Sequence, residues 1–171
     1  SNIGKEETPT VSVVFDIGNK DRNTPIRASA DFAYSTVDDI IWLYFGTGKF
    51  EEALDKVNTE QQYFIGMKDD LSAPVTLSTL GDLVGLSAAT VTDTLSGDDF
   101  RVINGTNANK DPWYVSLLTG GVPSERVISK PLVVGGVVFF TTFIPDNDIC
   151  AGNGEAWLYA LDYNTGLPPT E

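Results

Sequence analysis

The sequence contains no histidine and a single cysteine, and each absence excludes a class of chemistry. Without histidine, the chain lacks the commonest general base at neutral pH, the usual zinc ligand and every Ser-His or Cys-His nucleophile pair. Cys150 has no second cysteine in this sequence, so it forms no disulfide within the chain, and a pairing with a cysteine elsewhere stays open. These absences favour a function that is not enzymatic.

Positive charge is also scarce. Eleven Lys and Arg residues against 24 Asp and Glu residues give a net charge of -13. Because the phosphates of nucleic acids and of anionic lipids repel such a chain, we expect no nucleic-acid partner. The 171 residues are nevertheless 42% hydrophobic and 11% aromatic, which is enough for a sizeable core in one domain or in a piece of a larger one.

The main apolar run is too short to cross a membrane as a helix. Pro131 to Phe140 is about half the ~20 residues that a spanning helix needs. Gly135 and Gly136 disfavour a helix at its centre, and they supply the positive φ angles of a two-residue turn. The segment "PLVVGGVVFF" is therefore predicted to form a β-hairpin. The first ten residues, "SNIGKEETPT", lack the apolar segment of a signal peptide.

Most of the chain is predicted to form β-strands, with little helix. Short runs rich in Val, Ile, Thr, Tyr and Phe alternate with clusters of Gly, Asn, Asp and Pro, which is typical of a propeller, a sandwich or a barrel. One short helix is predicted in "KFEEALDKVNTEQ", where Phe50, Leu54 and Val57 recur at helical spacing, and a turn or two in "STLGDLVGL". The predicted strands are "TVSVVFDI", "IRASADFAY", "DIIWLYFG", "QQYFIGM", "APVTLS", "FRVIN", "PWYVSL", the apolar run and "EAWLYALD".

An internal repeat favours the propeller among these architectures. Residues 26–70 and 126–166 both run as a strand, a turn, a more apolar strand, a long loop and an aromatic strand that ends in Asp. Each is predicted to be a four-stranded blade whose middle strand is covered on both faces and therefore reads as a continuous apolar run. Residues 71–125 form an uncertain connecting or blade segment, and 1–171 is interpreted as one propeller fragment. An antiparallel sandwich stays the alternative.

Several segments of different composition can be compared with known families. They are "TPIRASADFAY", "LYFGTGKF", "QQYFIGMKDD", "PWYVSL" and "ERVISKPLVVGGVVFFTTFIP". Over about residues 24 to 166, these segments and their order resemble the C-terminal propeller of the PilC/PilY family of type IV pilus biogenesis and tip-adhesin proteins. The closing "LYALDYNTG", residues 158 to 166, is similar to a strand-turn unit of quinoprotein-like propellers. The expected fold class is all-β, a partial set of quinoprotein-like β-propeller blades with short helical insertions.

The resemblance implies a function at the bacterial cell surface, at the outer membrane and the pilus tip. It implies a non-enzymatic module of a pilus assembly and adhesion protein that supports pilus biogenesis, twitching motility, surface attachment and the control of extension against retraction. The implied partners are the remaining blades and N-terminal module of a parent protein, pilins or minor pilins, and a host receptor or glycan. Because two blades alone expose their lateral faces, an isolated fragment is expected either to self-associate or to rely on such neighbours.

The family's calcium loop, of the form Asp-x-Asp-x-Asn-x-x-x-Asp, has no clean match in this sequence. The nearest segment, "DNDICAGN", offers Asp146, Asp148 and Asn153 as candidate calcium ligands. The segment "DIGNKDRN" fits poorly because Lys20 places a cation at a ligand position. Calcium at "DNDICAGN" is thus the one cofactor considered, and otherwise no cofactor is expected.

Two other classes of function stay open. A glycan- or host-protein-binding propeller uses exposed aromatic rings, and Trp113, which follows "KDP", is predicted to be exposed, whereas Trp42 and Trp157 are assigned to the core. A dehydrogenase of the quinoprotein type needs a tryptophan-floored cofactor pocket and a calcium site, for which the chain offers no set of ligands. The segment "FGTGKF" lacks the spacing of a phosphate-binding loop, and the paired acidic residues are assigned to loops. No catalytic residue is therefore predicted.

Overall fold

A computed structural model of the chain describes residues 15–17, 24–36, 39–70, 78–118, 124–146, 148 and 152–170. These residues form eleven strands and two short 3-10 helices, which confirms the predicted all-β class with short helical insertions. The strands are β1 (Phe15–Asp16), β2 (Asp31–Ser35), β3 (Ile40–Gly46), β4 (Tyr63–Asp70), β5 (Ser78–Thr79), β6 (Val84–Thr92), β7 (Asp99–Asn104), β8 (Trp113–Ser116), β9 (Leu132–Val134), β10 (Val137–Pro145) and β11 (Gly154–Asp162). The 3-10 helices are Ala53–Val57 and Leu80–Asp82.

Two antiparallel meanders form the framework of the fold. Strands β2, β3 and β4 pair in chain order, and so do β9, β10 and β11. The two sheets pack face to face, because Phe64 of β4 stacks on Phe140 of β10 with 3.6 Å between ring centroids. Phe140 stacks in turn on Tyr159 of β11 at 4.7 Å. The two sheets therefore repeat one order of strands and share a core.

The first meander belongs to a larger sheet than the sequence predicts. Strand β8 joins β4 antiparallel, β6 joins β8 in parallel, and β7 forms the edge, so that the order is β2-β3-β4-β8-β6-β7. The second sheet has three strands among the described residues, in the order β11-β10-β9. The expectation of two equivalent four-stranded sheets is therefore wrong in the number of strands, because one sheet has six strands and the other has three among the described residues. Strand β6 escapes prediction because Gly, Ser and Ala dilute its apolar positions and have low β propensity.

The hairpin predicted at the apolar run is present. Gly135 and Gly136 join β9 to β10 with φ angles of 58° and 82°. Positive φ at both central residues is the signature of a type I′ turn, whose twist matches that of the flanking strands. Along β10 the buried Val138 and Phe140 alternate with half-buried or exposed residues, so this run is covered on one face only. Among the described residues β10 thus has cover on one face, and cover of its other face by a neighbouring blade stays a prediction.

Strand β3 does have cover on both faces. Trp42 and Tyr44 pack into the core shared with the second sheet. Phe45 points the other way, into a smaller cluster with Ile65 and Leu83. The shared core consists of Trp42, Tyr44, Phe64, Leu86, Ala88, Trp113, Val115, Leu117, Val127, Val138, Phe140, Tyr159 and Leu161.

The predicted helical segments shorten to single 3-10 helices. Phe50, Leu54 and Val57 are all exposed, so their helical spacing does not mark a buried face. A reciprocal pair of hydrogen bonds between Glu52 and Asp55 begins the first helix, and the chain is extended again at Asn58. Within the described ranges, no helix has the length and apolar character needed to cross a membrane.

Candidate functional site

Arg126 is a buried arginine that joins the loop after β3 to the second sheet. Its side chain donates hydrogen bonds to four backbone carbonyls: Nε to Ser124 at 3.0 Å, Nη1 to Lys49 at 3.0 Å and to Asp55 at 2.7 Å, and Nη2 to Asn58 at 3.1 Å. Burial lowers the pKa of Arg126, and the charge of Asp55 partly offsets that effect. The guanidinium therefore acts as a clamp: it fixes the 3-10 helix Ala53–Val57 and the residues on either side of it to the second sheet.

The neighbouring Glu125 is a buried carboxylate that connects both sheets. Its Oε1 accepts hydrogen bonds from the hydroxyls of Thr142 on β10 and, at 2.8 Å, Tyr159 on β11. Its Oε2 accepts the backbone N–H of Leu118 at 3.1 Å, and Nε of Arg101 lies 3.7 Å from the same oxygen. Burial and then the charge of Glu125 raise the pKa of Tyr159. Through these contacts Glu125 stabilises the packing of the two sheets against each other.

Asp55 completes the buried polar cluster around Arg126. Its carboxylate accepts the backbone N–H groups of Glu51 at 2.8 Å and Glu52 at 2.9 Å, and Nζ of Lys49 lies 3.1 Å away. Burial by itself raises the pKa of Asp55, but the two backbone hydrogen bonds and Lys49 outweigh it. The pKa of Asp55 is therefore below its ordinary value of 3.8.

The substitution Asp55→Asn is expected to destabilise the protein by about 1–3 kcal/mol at pH 7. A lowered pKa in the folded state means that the ionised carboxyl stabilises the fold above about pH 4, its unfolded pKa. This contribution is lost as the pH falls through the lower pKa of the folded state. Urea unfolding between pH 2.5 and pH 7 should show the difference between the two proteins shrinking below about pH 4. A constant difference over that range would contradict the assignment, and the exposed Asp98→Asn serves as the matched control.

Trp113, predicted to be exposed, is fully buried. Its exposed fraction is 0%, and its indole N–H donates to the carbonyl of Tyr163 at 3.3 Å. Gly66 and Gly166 make room for the ring. A methyl group on Gly66 would lie 2.4 Å from a ring atom, and one on Gly166 would lie 2.5 Å from a ring atom. The prediction that Trp113 forms a binding surface is therefore wrong. The "KDP" segment before it is a loop, but the glycines that cover the ring are distant in sequence.

The candidate calcium ligands lie at the loop between β10 and β11. The N–H of Asp146 donates to the carbonyl of Asn153 at 3.1 Å, and the Asp146 carboxylate accepts the N–H of Asp148 at 2.9 Å. The ammonium of Lys56 donates to the carbonyl of Asp148 at 3.3 Å, so a cation of the protein itself already lies at this loop. Cys150 lies outside the described residues. Within those residues no three acidic, His or Cys side chains converge as metal ligands, and calcium here stays a prediction.

A cleft between β7 and β11 brings together residues that no sequence motif connects. The guanidinium carbon of Arg101 lies 3.9 Å from the centroid of the Trp157 ring, a cation-π contact between residues in different sheets. The Arg101 side chain is only 6% exposed. The cleft has a volume of about 280 Å³ and is lined by Asp99, Phe100, Arg101, Ile103, Trp157, Leu158, Tyr159, Ala160, Leu161 and Pro168.

Comparison with curated proteins finds relatives among pilus biogenesis factors. A type IV pilus biogenesis factor PilY1 homolog of Xylella fastidiosa is 33% identical over 132 residues, which are 72% of this chain and 9% of that protein. A second homolog from that organism is 28% identical over 162 residues, which are 91% of this chain and 13% of the homolog. The type IV pilus biogenesis factor PilY1 of Pseudomonas aeruginosa is 25% identical over 158 residues, which are 90% of this chain and 12% of PilY1. The chain thus spans roughly a tenth of the length of the relatives it matches.

Comparison with solved structures agrees at the level of the fold. The crystal structure of the Pseudomonas aeruginosa PilY1 C-terminal domain matches with a TM-score of 0.64 and 24% sequence identity. The match covers 84% of this chain and 32% of the solved one. No family model matches the sequence.

Proposed function

Because the chain belongs to the PilC/PilY family of type IV pilus biogenesis factors, we propose that it is a non-enzymatic module of a pilus assembly and tip-adhesion protein. The module acts at the bacterial cell surface and supports pilus biogenesis, surface attachment and the control of extension against retraction. Its proposed partners are pilins or minor pilins and the remaining parts of a longer polypeptide. The similarity to PilY1 proteins over most of the chain carries the proposal.

Open apolar faces support a module that works inside a larger protein. The outer face of the second sheet exposes Leu132, Val134 and Leu158, with exposed fractions of 58%, 56% and 69%. On the opposite side of the molecule, β2 exposes Phe32 and Tyr34. Soluble monomers rarely leave large contiguous apolar patches in water. Neighbouring sheets of the same polypeptide are the proposed cover, and in their absence the same faces favour self-association.

An in-frame deletion of residues 24–170 from the gene is expected to reduce both the number of surface pili and the twitching zone by several-fold. Pili are counted by electron microscopy in the parent strain, the deletion strain and a complemented strain. A strain that carries Asp98→Asn, a substitution at an exposed residue, serves as the matched control and should have a normal number of pili. Unchanged pilus counts, attachment and twitching in the deletion strain would overturn the proposal.

A second pilus count separates assembly from the control of retraction. The deletion is repeated in a strain that cannot retract its pili. Pili that return in that background indicate that the module opposes retraction, whereas pili that stay absent indicate a role in assembly itself.

The structure does not favour glycan binding at Trp113, the residue predicted for that alternative function. Trp113 is buried between the two sheets, and Trp42 is 3% exposed. The third tryptophan, Trp157, is covered by Arg101. We therefore propose no glycan platform at these tryptophans.

A further inference from the structure

The 3-10 helix Ala53–Val57 turns apolar side chains toward solvent. Leu54 is 73% exposed and Val57 is 49% exposed. Both residues line a surface groove of about 370 Å³, the loop groove, whose lining also includes Glu52, Thr59 and Glu60. The apolar residues at helical spacing therefore form part of an exposed surface, where they add nothing to the core.

The loop that carries this groove is held in one conformation although its apolar side chains are exposed. Arg126 donates to the carbonyls of Lys49, Asp55 and Asn58, which lie before, within and after the helix. The carboxylate of Asp55 accepts two backbone N–H groups at the start of the helix. Burying such charges is costly and is by itself weak evidence for stability. A loop that is already ordered does, however, bind a partner at a lower entropic cost.

The loop groove lies at the ends of strands, away from the exposed sheet faces. Its loop joins β3 to β4, whereas the apolar faces assigned to neighbouring sheets belong to β2 and to the second sheet. Sheets that pack face to face leave such a loop accessible. Loops held on a rigid scaffold are frequent binding sites. The position of the groove therefore favours a second protein over another sheet of the same polypeptide.

The rim of the loop groove is acidic. The side chain of Glu52 is 64% exposed, and the exposed Glu60 forms no ion pair within the described ranges. Residues 49–60 contain four acidic residues and two lysines. Lys49 is only 19% exposed, and its Nζ lies 3.1 Å from the carboxylate of Asp55. Acidic groups around apolar side chains complement a partner that presents basic groups around apolar side chains.

The net charge of the chain argues against two other occupants. A second copy of this chain also carries a net charge of -13 and is repelled. The headgroups of anionic lipids are repelled for the same reason. A basic and apolar protein segment satisfies both the charge of the rim and the exposed leucine and valine.

We propose that the loop groove docks a subunit of the pilus through a segment in which lysine or arginine flanks large apolar side chains. This inference rests on the proposed function, in which pilins or minor pilins are partners. It adds the surface that they contact and the chemistry of the contacting segment.

Binding to purified pilus subunits tests the proposal. The full gene product is immobilised, and the soluble domain of each pilin and minor pilin of the strain is the probe in biolayer interferometry. We expect at least one subunit to bind, and its Kd to rise at least about tenfold when Leu54→Ser and Val57→Ser are combined. Glu60→Lys should raise the Kd by about fivefold, and added salt should weaken binding to the unsubstituted protein.

The matched controls make the same chemical changes elsewhere on the surface. Leu95→Ser exposes a serine in place of a leucine that is 96% exposed, and Glu155→Lys reverses a charge on β11. Both should keep the Kd within about twofold, and circular dichroism confirms that every variant is folded. A full gene product that binds none of the subunits, or a double variant with an unchanged Kd, would overturn the proposal. So would binding to phosphatidylglycerol vesicles or to a second copy of the chain that the double variant abolishes.

The buried cluster is tested by a substitution that leaves Leu54 and Val57 in place. Asp55→Asn removes the charge that fixes the start of the helix, so the binding-competent loop should be less populated. We expect the Kd for the same subunit to rise by about fivefold at pH 7 while circular dichroism stays native. An unchanged Kd would overturn the role of the cluster in preparing the loop for its partner.

The pilus counts keep the two proposals apart. A deletion strain that loses its pili, together with an unchanged Kd for the double variant, removes the docking groove and leaves the proposed function standing. Normal piliation of the deletion strain, together with subunit binding that the double variant loses, removes the proposed function and leaves the docking groove.

Discussion

Replacing Arg126 by methionine is expected to lower the free energy of unfolding by about 3–5 kcal/mol, one of the two largest effects that the structure predicts. Arg126 is 1% exposed, and its guanidinium donates hydrogen bonds to the carbonyls of Ser124, Lys49, Asp55 and Asn58. Methionine replaces the aliphatic stem of arginine but is shorter and has no donor, so these carbonyls lose their partner in a place with little access to water. Urea unfolding followed by tryptophan fluorescence measures the change.

The matched control for this prediction is Arg27→Met. Arg27 is 53% exposed and forms one ion pair, with Glu51 at 3.5 Å. Its loss should cost less than about 1 kcal/mol because exposed ion pairs contribute little. Arg126→Lys should also be destabilising, since a single ammonium cannot reach carbonyls on several sides. A change below about 1 kcal/mol for Arg126→Met would show that the clamp is dispensable.

Replacing Trp113 by alanine is expected to cost about 3–5 kcal/mol of stability as well. The indole fills the space beside Gly66 and Gly166, and its ring centroid lies 6.2 Å from that of Tyr44 and 6.0 Å from that of Phe64. Alanine would leave a cavity in the core shared by both sheets. Urea unfolding measures the loss of stability, and near-ultraviolet circular dichroism reports the loss of fixed aromatic packing.

Leu95→Ala is the control for the tryptophan substitution, because Leu95 is 96% exposed. Its stability should change by less than about 0.5 kcal/mol. If Trp113→Ala were as stable as the unsubstituted protein, the ring would have to lie on the surface, as the sequence alone suggested.

The features that sequence predicts well are local ones. The turn at Gly135 and Gly136 depends on two adjacent residues, and both have the positive φ angles that the pattern requires. Most strands of the two meanders also carry their own apolar and β-branched residues, so they lie close to where they are predicted. The resemblance to the pilus family likewise depends on short motifs in a fixed order. Sequence therefore predicts the fold class and the family.

The features that sequence does not predict depend on contacts between distant residues. Trp113 is buried because of Gly66 and Gly166, which only the folded sheets bring beside it. Arg101 and Trp157 are 56 residues apart, and no single motif contains both. The spacing of Phe50, Leu54 and Val57 matched a helix. Phe50 instead packs edge-on against Phe143, with 5.1 Å between the ring centroids. The parallel pairing of β6 with β8 has no signature in either strand.

A double-mutant cycle on Phe64 and Phe140 tests most directly whether the two meanders pack face to face. Phe64→Leu, Phe140→Leu and the double variant are compared by urea unfolding, because leucine keeps the core apolar while removing the stacked rings. Because the ring centroids lie 3.6 Å apart, we expect a coupling energy of about 0.5–1.5 kcal/mol between the two residues. The stability loss of the double variant should therefore be smaller than the sum of the losses in the two single variants. Losses that add within about 0.3 kcal/mol would mean that the rings do not touch, and would contradict the packing of the two sheets.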